Sequence, residues 1–351
     1  MKHFSEYVSL GHPDKIADYI SQYILDRYIE NDPDTKYAVE VQIKDNHVML
    51  GGEVTSKCGF NTKDIRLFVR DAVNDIGYTK EYQEQWGEGN TICGDDLTVD
   101  MLIHQQSKEI ARGLTGWGDQ GIFFGFATPN QQTFYMGYDH WLAKEICHTL
   151  YEKRLGGLDI KTQVVMDDDR ITKVIIAIPT LSDSQTRHIE QFVRLYLPHD
   201  NGTEIIVNGT GKYVQHSSIA DCGTTGRKLA VDFYGGNSKI GGGSPWTKDA
   251  SKADLTLNLL ARDIAIQKAK QFKRDIFVSL ACCIGKQEVD MCVSDRENRI
   301  IEECVMVFSP QELIERYKLN TPIYASMCKW GLFGSYQQDK IWEFGDADLH
   351  E

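Results

Sequence analysis

The chain has 351 residues, 41% apolar and 25% charged, proportions that allow two or three globular cores and exclude a disordered or fibrous protein. Its 51 acids exceed its 38 lysines and arginines, and a net charge of −13 argues against nonspecific nucleic-acid binding, which depends on counterion release by a basic surface. No apolar run of about 18 residues or leader-like start occurs, and nine cysteines include no Cys-x-x-Cys; a cytoplasmic protein with reduced thiols, no zinc site, no membrane contact and no nucleic-acid partner is expected.

In residues 14–30, Ile16, Tyr19, Ile20, Tyr23, Ile24 and Tyr28 recur at helical spacing behind Pro13, predicting an amphipathic helix with Gly11-His12 on its entry loop. Residues 37–43 and 48–55 read as two strands around a turn at 44–47. A helix follows, with Ile65, Phe68, Val69, Ala72 and Ile76 on one face and Gly77 at its end. The unit recurs over 161–166 and 171–179, flanking Asp167-Asp168-Asp169-Arg170, with a helix over 184–197. A third copy runs 276–284 and 289–293, with a helix over 311–317 behind Ser309-Pro310. Hairpins segregated from their helices predict an α+β fold with antiparallel or mixed sheets covered on one face, not a Rossmann sheet. The copies share no motif, so convergent patterning is the alternative to three related domains. We divide the chain at 1–108, 109–218 and 219–351, tightly packed because no low-complexity linker separates them.

Three segments point to anion chemistry. Gly11-His12-Pro13-Asp14-Lys15 opens a helix, where free N–H groups and the dipole favour a phosphate; the plainer reading is that Asp14 and Asp18 decorate the first turns and Lys15 is solvated. Residues 112–121 carry four glycines and Asp119 ahead of a strand at 122–127, a composition suited to close backbone approach or a moving lid. Residues 221–254 are densest: glycine runs at 235–236 and 241–243, and five basic residues against two acids between Arg227 and Lys252. Glycines expose backbone donors and Arg and Lys supply charge to phosphate, although no P-loop pattern is present. Lys248, Lys252 and Asp254 are otherwise the exposed start of a helix that buries Leu255, Leu259 and Ile266. Magnesium takes one or two carboxylates plus phosphate oxygens, a demand Asp14 and Asp254 meet. The Asp167–Asp169 run is a solvated turn.

Taken in order, Gly11-His12-Pro13-Asp14-Lys15, Gly51-Gly52-Glu53, Gly118-Asp119-Gln120-Gly121, Asp221-Cys222-Gly223, Thr225-Gly226-Arg227-Lys228, Asp232 with Tyr234-Gly235-Gly236, Gly241-Gly242-Gly243, and Lys248-Asp249 with Lys252 and Asp254 resemble the S-adenosylmethionine synthetase family over nearly the whole chain. The resemblance implies three similar α+β domains about a pseudo-threefold axis, and a homodimer with shared active sites that is sometimes paired into a tetramer. It implies attack of methionine sulfur on C5′ of ATP, with release and hydrolysis of triphosphate. By the same resemblance His12, Lys161, Arg227 and Lys248 are catalytic, and Lys15, Asp119, Tyr213, Arg227, Lys228, Lys248 and Lys252 hold ATP and its triphosphate. Glu53, Gln106, Asp221 and Ile284 line the methionine side. Asp14 and Asp254 bind two magnesium ions, Glu40 lies near potassium, and residues 110–117 form a gate.

The chain departs from the family pattern at Leu10, where the family has Glu, at Ile240, where it has His, and at Ser244-Pro245-Trp246-Thr247, where it has Ala-Phe-Ser-Gly. Either Trp246 replaces the lost phenylalanine or the pocket takes a different thioether. A binding homologue without turnover and a triphosphate hydrolase are the remaining alternatives.

Overall fold

The computed structural model describes residues 2–105, 116–335 and 340–345. In chain order its elements are β1 (Lys2–Val8), α1 (Pro13–Asn31), β2 (Lys36–Lys44), β3 (His47–Thr55), α2 (Thr62–Ile76), α3 (Lys80–Trp86), β4 (Thr98–His104), β5 (Gly121–Ala127), α4 (Tyr138–Glu152), β6 (Lys161–Asp167), β7 (Arg170–Ala177), α5 (Asp183–Tyr196), β8 (Glu204–Val207), β9 (Gly223–Thr224), α6 (Leu229–Asp232), α7 (Ala253–Phe272), β10 (Ile276–Cys282), β11 (Glu288–Ser294), β12 (Ile300–Val307), α8 (Pro310–Arg316) and α9 (Tyr324–Cys328).

These strands form three four-stranded sheets, ordered β4-β3-β2-β9, β1-β6-β7-β8 and β12-β11-β10-β5. Each is built on one of the three expected hairpins, and each hairpin is preceded by a long helix that packs on its sheet: α1 on β2 and β9, α4 on β1 and β6, α7 on β5 and β10. The expected hairpin-then-helix unit is therefore a helix-hairpin-helix module. The outer strand runs parallel to its neighbour in two modules, β3 with β4 and β7 with β8, and antiparallel in the third, where β12 follows β11 directly.

Every sheet is closed by a strand from another part of the chain. The amino-terminal β1 pairs with β6, β5 pairs with β10, and β9 pairs with β2, so the three modules exchange edge strands in a ring. Helices cover one face of each sheet, and the pleat turns alternate side chains outward, leaving Phe4, Met49, Leu102, Ile122 and Val305 largely exposed.

Local signals set the boundaries. His12 caps α1 and Pro13 occupies its first turn, while Asn61 and Asp64 form a capping box on α2 that ends at the left-handed Gly77. The strand exchange carries the site: the register Val8↔Lys161 brings the start of β6 beside the entry to α1, and β9 lays the segment leading to Arg227 against β2.

Candidate active site

The entry to α1 is pinned before it can be functional. Ser9 N–H donates to the Ile160 carbonyl at 3.0 Å, and the Tyr78 hydroxyl donates to the Gly11 carbonyl at 2.7 Å. A Cβ on Gly11 would lie 2.3 Å from the Leu158 carbonyl oxygen, and one on Gly223 2.1 Å from that of Pro13; both glycines let neighbouring backbones close on the helix start.

His12 is 2% exposed and its Nδ1 accepts the Asp14 N–H at 3.1 Å, so the ring proton resides on Nε2. Burial, followed by the positive charges of Lys161, Lys228, Lys15 and Arg227, pushes its pKa down to about 2. The imidazole is thus a neutral N–H donor ringed by cations. Asp14 accepts the Thr224 N–H at 2.9 Å and the Lys228 ammonium at 2.6 Å, with the Arg227 guanidinium 4.0 Å away. Lys161 and Arg227 are exposed.

Asp159, which the sequence reading passed over, belongs to this group. Its Oδ2 accepts the Ser217 N–H at 3.2 Å, whereas its buried Oδ1 has no hydrogen-bond partner. Burial lifts its carboxyl to about 6, opposed by the charge of Lys161 and reinforced by Asp221 and Asp14. Its only sequence signal is an acid set within Leu158-Asp159-Ile160, ahead of Lys161. Asp221 is exposed nearby, its side chain accepting the Cys222 N–H at 2.8 Å. Tyr213 is half-buried, its hydroxyl pKa raised by burial and then by Asp159.

A second group gathers Lys248, ion-paired to Asp254, with the half-buried Lys252 at the start of α7. Lys248 bridges Ala38 on β2, whose partner across the hairpin is Glu53. Asp119 is exposed at the entry to β5, and its carbonyl accepts the Cys282 thiol at 3.4 Å; Ile284, 54% exposed, follows two residues after Cys282. Burial, with the charges of Asp119 and Asp254 adding to it, raises the Cys282 thiol to about 11. Glu40 links the groups, accepting from the Thr225 hydroxyl near Arg227 and from the Thr247 hydroxyl beside Lys248 at 3.0 Å.

Lys15 does not stand with these open cations. Its side chain is 3% exposed, with Nζ 2.7 Å from Asp232 and 3.1 Å from Asp18, which excludes the solvated reading. Burial works against its charge, but Asp232 and Asp18 prevail and hold it firmly protonated. Trp246 is fully buried over it, so this ring does not wall an open methionine pocket; Leu10 is core, and Ile240 is 37% exposed. Gln106 and residues 110–115 of the gate lie outside the described residues; Gly116 and Trp117 are buried, with Trp117 N–H donating to the Lys286 carbonyl at 2.9 Å.

Among the described residues no three His, Cys, Asp or Glu side chains converge as an all-protein metal cage. Asp14 and Asp254, each beside a lysine, instead fit a magnesium ion shared with phosphate oxygens. Among the described residues no helix is long and apolar enough to cross a membrane.

Fold and site together define a class: a three-module α+β protein in which basic side chains gather around a capped helix start. Family models for the amino-terminal, central and carboxy-terminal domains of S-adenosylmethionine synthetase match residues 1–108, 114–213 and 215–344. S-adenosylmethionine synthases of Pseudothermotoga lettingae and Myxococcus xanthus strain DK1622 are 33% and 34% identical, covering 98% and 97% of this chain and 96% and 91% of their own. A solved structure described as an unusual S-adenosylmethionine synthetase from Campylobacter jejuni superposes with a TM-score of 0.88 at 30% identity, covering 99% of this chain and 97% of its own. The chain belongs to the S-adenosylmethionine synthetase family.

Proposed function

We propose that this protein forms S-adenosylmethionine from ATP and L-methionine. The sulfur attacks C5′ directly: the S–C bond forms as the C5′–O bond breaks, and triphosphate leaves with that electron pair before hydrolysis to pyrophosphate and phosphate. The observation that carries this reading is the neutral, Nε2-protonated His12 among Lys161, Arg227 and Lys228. A thioether has no proton to lose, so no general base is required; alignment and stabilisation of the leaving charge do the work.

His12 donates Nε2–H to the departing oxygen, and Lys161, Arg227, Lys228, Lys248 and Lys252 hold the phosphates. Magnesium held by Asp14 and Asp254 would supply charge neutralisation to the triphosphate. Asp119 and Tyr213 position the nucleoside and Glu53, Gln106, Asp221 and Ile284 the methionine, and Glu40 is the carboxylate that would serve a stimulating potassium ion. The bare apolar sheet faces support a homodimer, with a tetramer as its pairing, and the nine free cysteines support a cytoplasmic setting.

Incubation of the purified protein with ATP, methionine, magnesium and potassium, with S-adenosylmethionine, pyrophosphate and phosphate measured, tests this. Formation of all three products is expected. No S-adenosylmethionine across varied metal and salt sinks the proposal; phosphate from added triphosphate alone marks a hydrolase, and nucleotide binding without products marks a binding homologue. A different thioether acceptor is the second reading, motivated by Trp246, which stands in the Ser244-Pro245-Trp246-Thr247 segment and is fully buried. A panel of methionine analogues with longer S-alkyl groups decides between them.

A further inference from the structure

Lys15 and Trp246 are drawn together with two carboxylates from distant parts of the chain. The indole Nε1–H donates to Asp232 Oδ2 at 2.8 Å, and Lys15 Nζ reaches Asp232 Oδ1 at 2.7 Å and Asp18 Oδ2 at 3.1 Å. Asp18 Oδ1 then accepts the Gly226 N–H at 2.8 Å. The third direction of the ammonium is covered by the Trp246 ring, whose centroid is 4.6 Å away. Lys15, Asp18 and Asp232 are buried and Trp246 is wholly enclosed, so the ammonium has no capacity left for a ligand.

Three members of this chain of contacts sit one or two residues from the groups that face the polyanion. Lys15 follows Asp14, Gly226 precedes Arg227 and Lys228, and Trp246 stands two before Lys248. Asp232 also donates its N–H to the Lys228 carbonyl at 3.0 Å. Sealed charges of this kind are strong only when every partner is in place, because deleting one strands another in a low dielectric.

We propose that Trp246, Asp232, Lys15 and Asp18 form a positioning network that sets Asp14, Arg227 and Lys228 for a triphosphate and anchors the backbone ahead of Lys248. Trp246 is the member by which this chain departs from its family's Ala-Phe-Ser-Gly pattern. The network rests on the polyphosphate-binding reading of the site, and it touches no substrate itself.

Trp246→Phe keeps an aromatic ring but removes the indole N–H, and Asp232→Asn removes the charge. Each is compared with the unaltered protein by calorimetric titration of magnesium tripolyphosphate, by steady-state S-adenosylmethionine formation and by thermal melting. For Trp246→Phe we expect about tenfold weaker tripolyphosphate binding and about tenfold lower kcat, methionine KM within about twofold, and a lowered melting point that still leaves the protein folded at the assay temperature; Asp232→Asn loses more. Tripolyphosphate affinity and kcat equal to the unaltered protein's overturn the proposal, as does a loss shared equally by methionine KM or explained by the unfolded fraction. If Trp246→Phe does not fold, Asp18→Asn, which keeps an acceptor for Gly226, carries the same comparison. Unaltered protein that binds tripolyphosphate but makes no S-adenosylmethionine removes the synthetase reading and leaves the network tested by binding. Unaltered protein that binds no tripolyphosphate removes both.

Discussion

At His12 the chemistry turns on which ring nitrogen carries the proton. The Asp14 N–H occupies Nδ1, and burial among cations keeps the ring neutral down to about pH 2, so His12 contributes no acid limb to the rate between pH 5 and 9. His12→Ala removes both the helix cap and the donor, and kcat is expected to fall about 10²-fold. His12→Asn can accept at the cap and donate from its amide, and its kcat should stay within about tenfold of normal. Equal losses in the two variants would remove the donor role. Lys161 offers a cleaner separation of activity from folding because it is exposed at the start of β6. Lys161→Ala is expected to lower kcat about 10²-fold with an unchanged melting curve, and near-normal turnover would show that this lysine holds no phosphate.

At the scale of elements, α3 is tied to the segment before β9 by a buried histidine. His216 Nδ1 donates to the Val214 carbonyl at 2.6 Å, and Nε2 accepts the Tyr82 hydroxyl at 2.7 Å, with the ring in an edge contact with Trp86 at 4.9 Å between centroids. Burial pushes His216 down to about 4 from an unfolded value near 6.5. Between those values the unfolded chain binds a proton that the folded chain refuses, so stability is lost as pH falls through that window and is unaffected above it. His216→Gln, which does not titrate, should melt lower at pH 8 yet lose less on moving to pH 5. A larger acid loss in the variant, read from melting against pH, would contradict this.

Hairpins were legible in the sequence because period-two alternation survives where one face is buried, as in β2 and β10. The helix α4 was not read: Asp139, His140 and Lys144 are buried on it, and polar residues inside the core erase the apolar stripe. β12 was missed for the opposite reason, since Met306 is its one fully buried residue and Ile300, Val305 and Val307 face outward. The pentapeptide at 11–15 was readable as a helix entry, whereas the enclosure of Lys15 depends on Asp232 and Trp246, more than two hundred positions away. Asp159 was invisible because one acid in an apolar run carries no periodicity.

For the whole molecule, the shared-site homodimer proposed above predicts that Lys161 of one copy works with Asp254 of the other. Lys161→Ala and Asp254→Ala proteins, each inactive alone, are mixed under conditions that exchange subunits. Half the dimers then hold one intact and one doubly altered site, and about a quarter of normal activity should return. No recovery despite demonstrated exchange would place both residues in one chain's site.

The ring of exchanged strands also imposes an order on synthesis. While the chain is being made, β2 keeps an open edge until residues 223–224 have emerged, β1 waits for residues 161–167, and β5 waits for residues 276–282. No module is finished until another has been delivered, so the nascent protein carries exposed strand edges for most of its translation. Such a molecule calls for chaperone cover on the ribosome and resists being cut into working thirds.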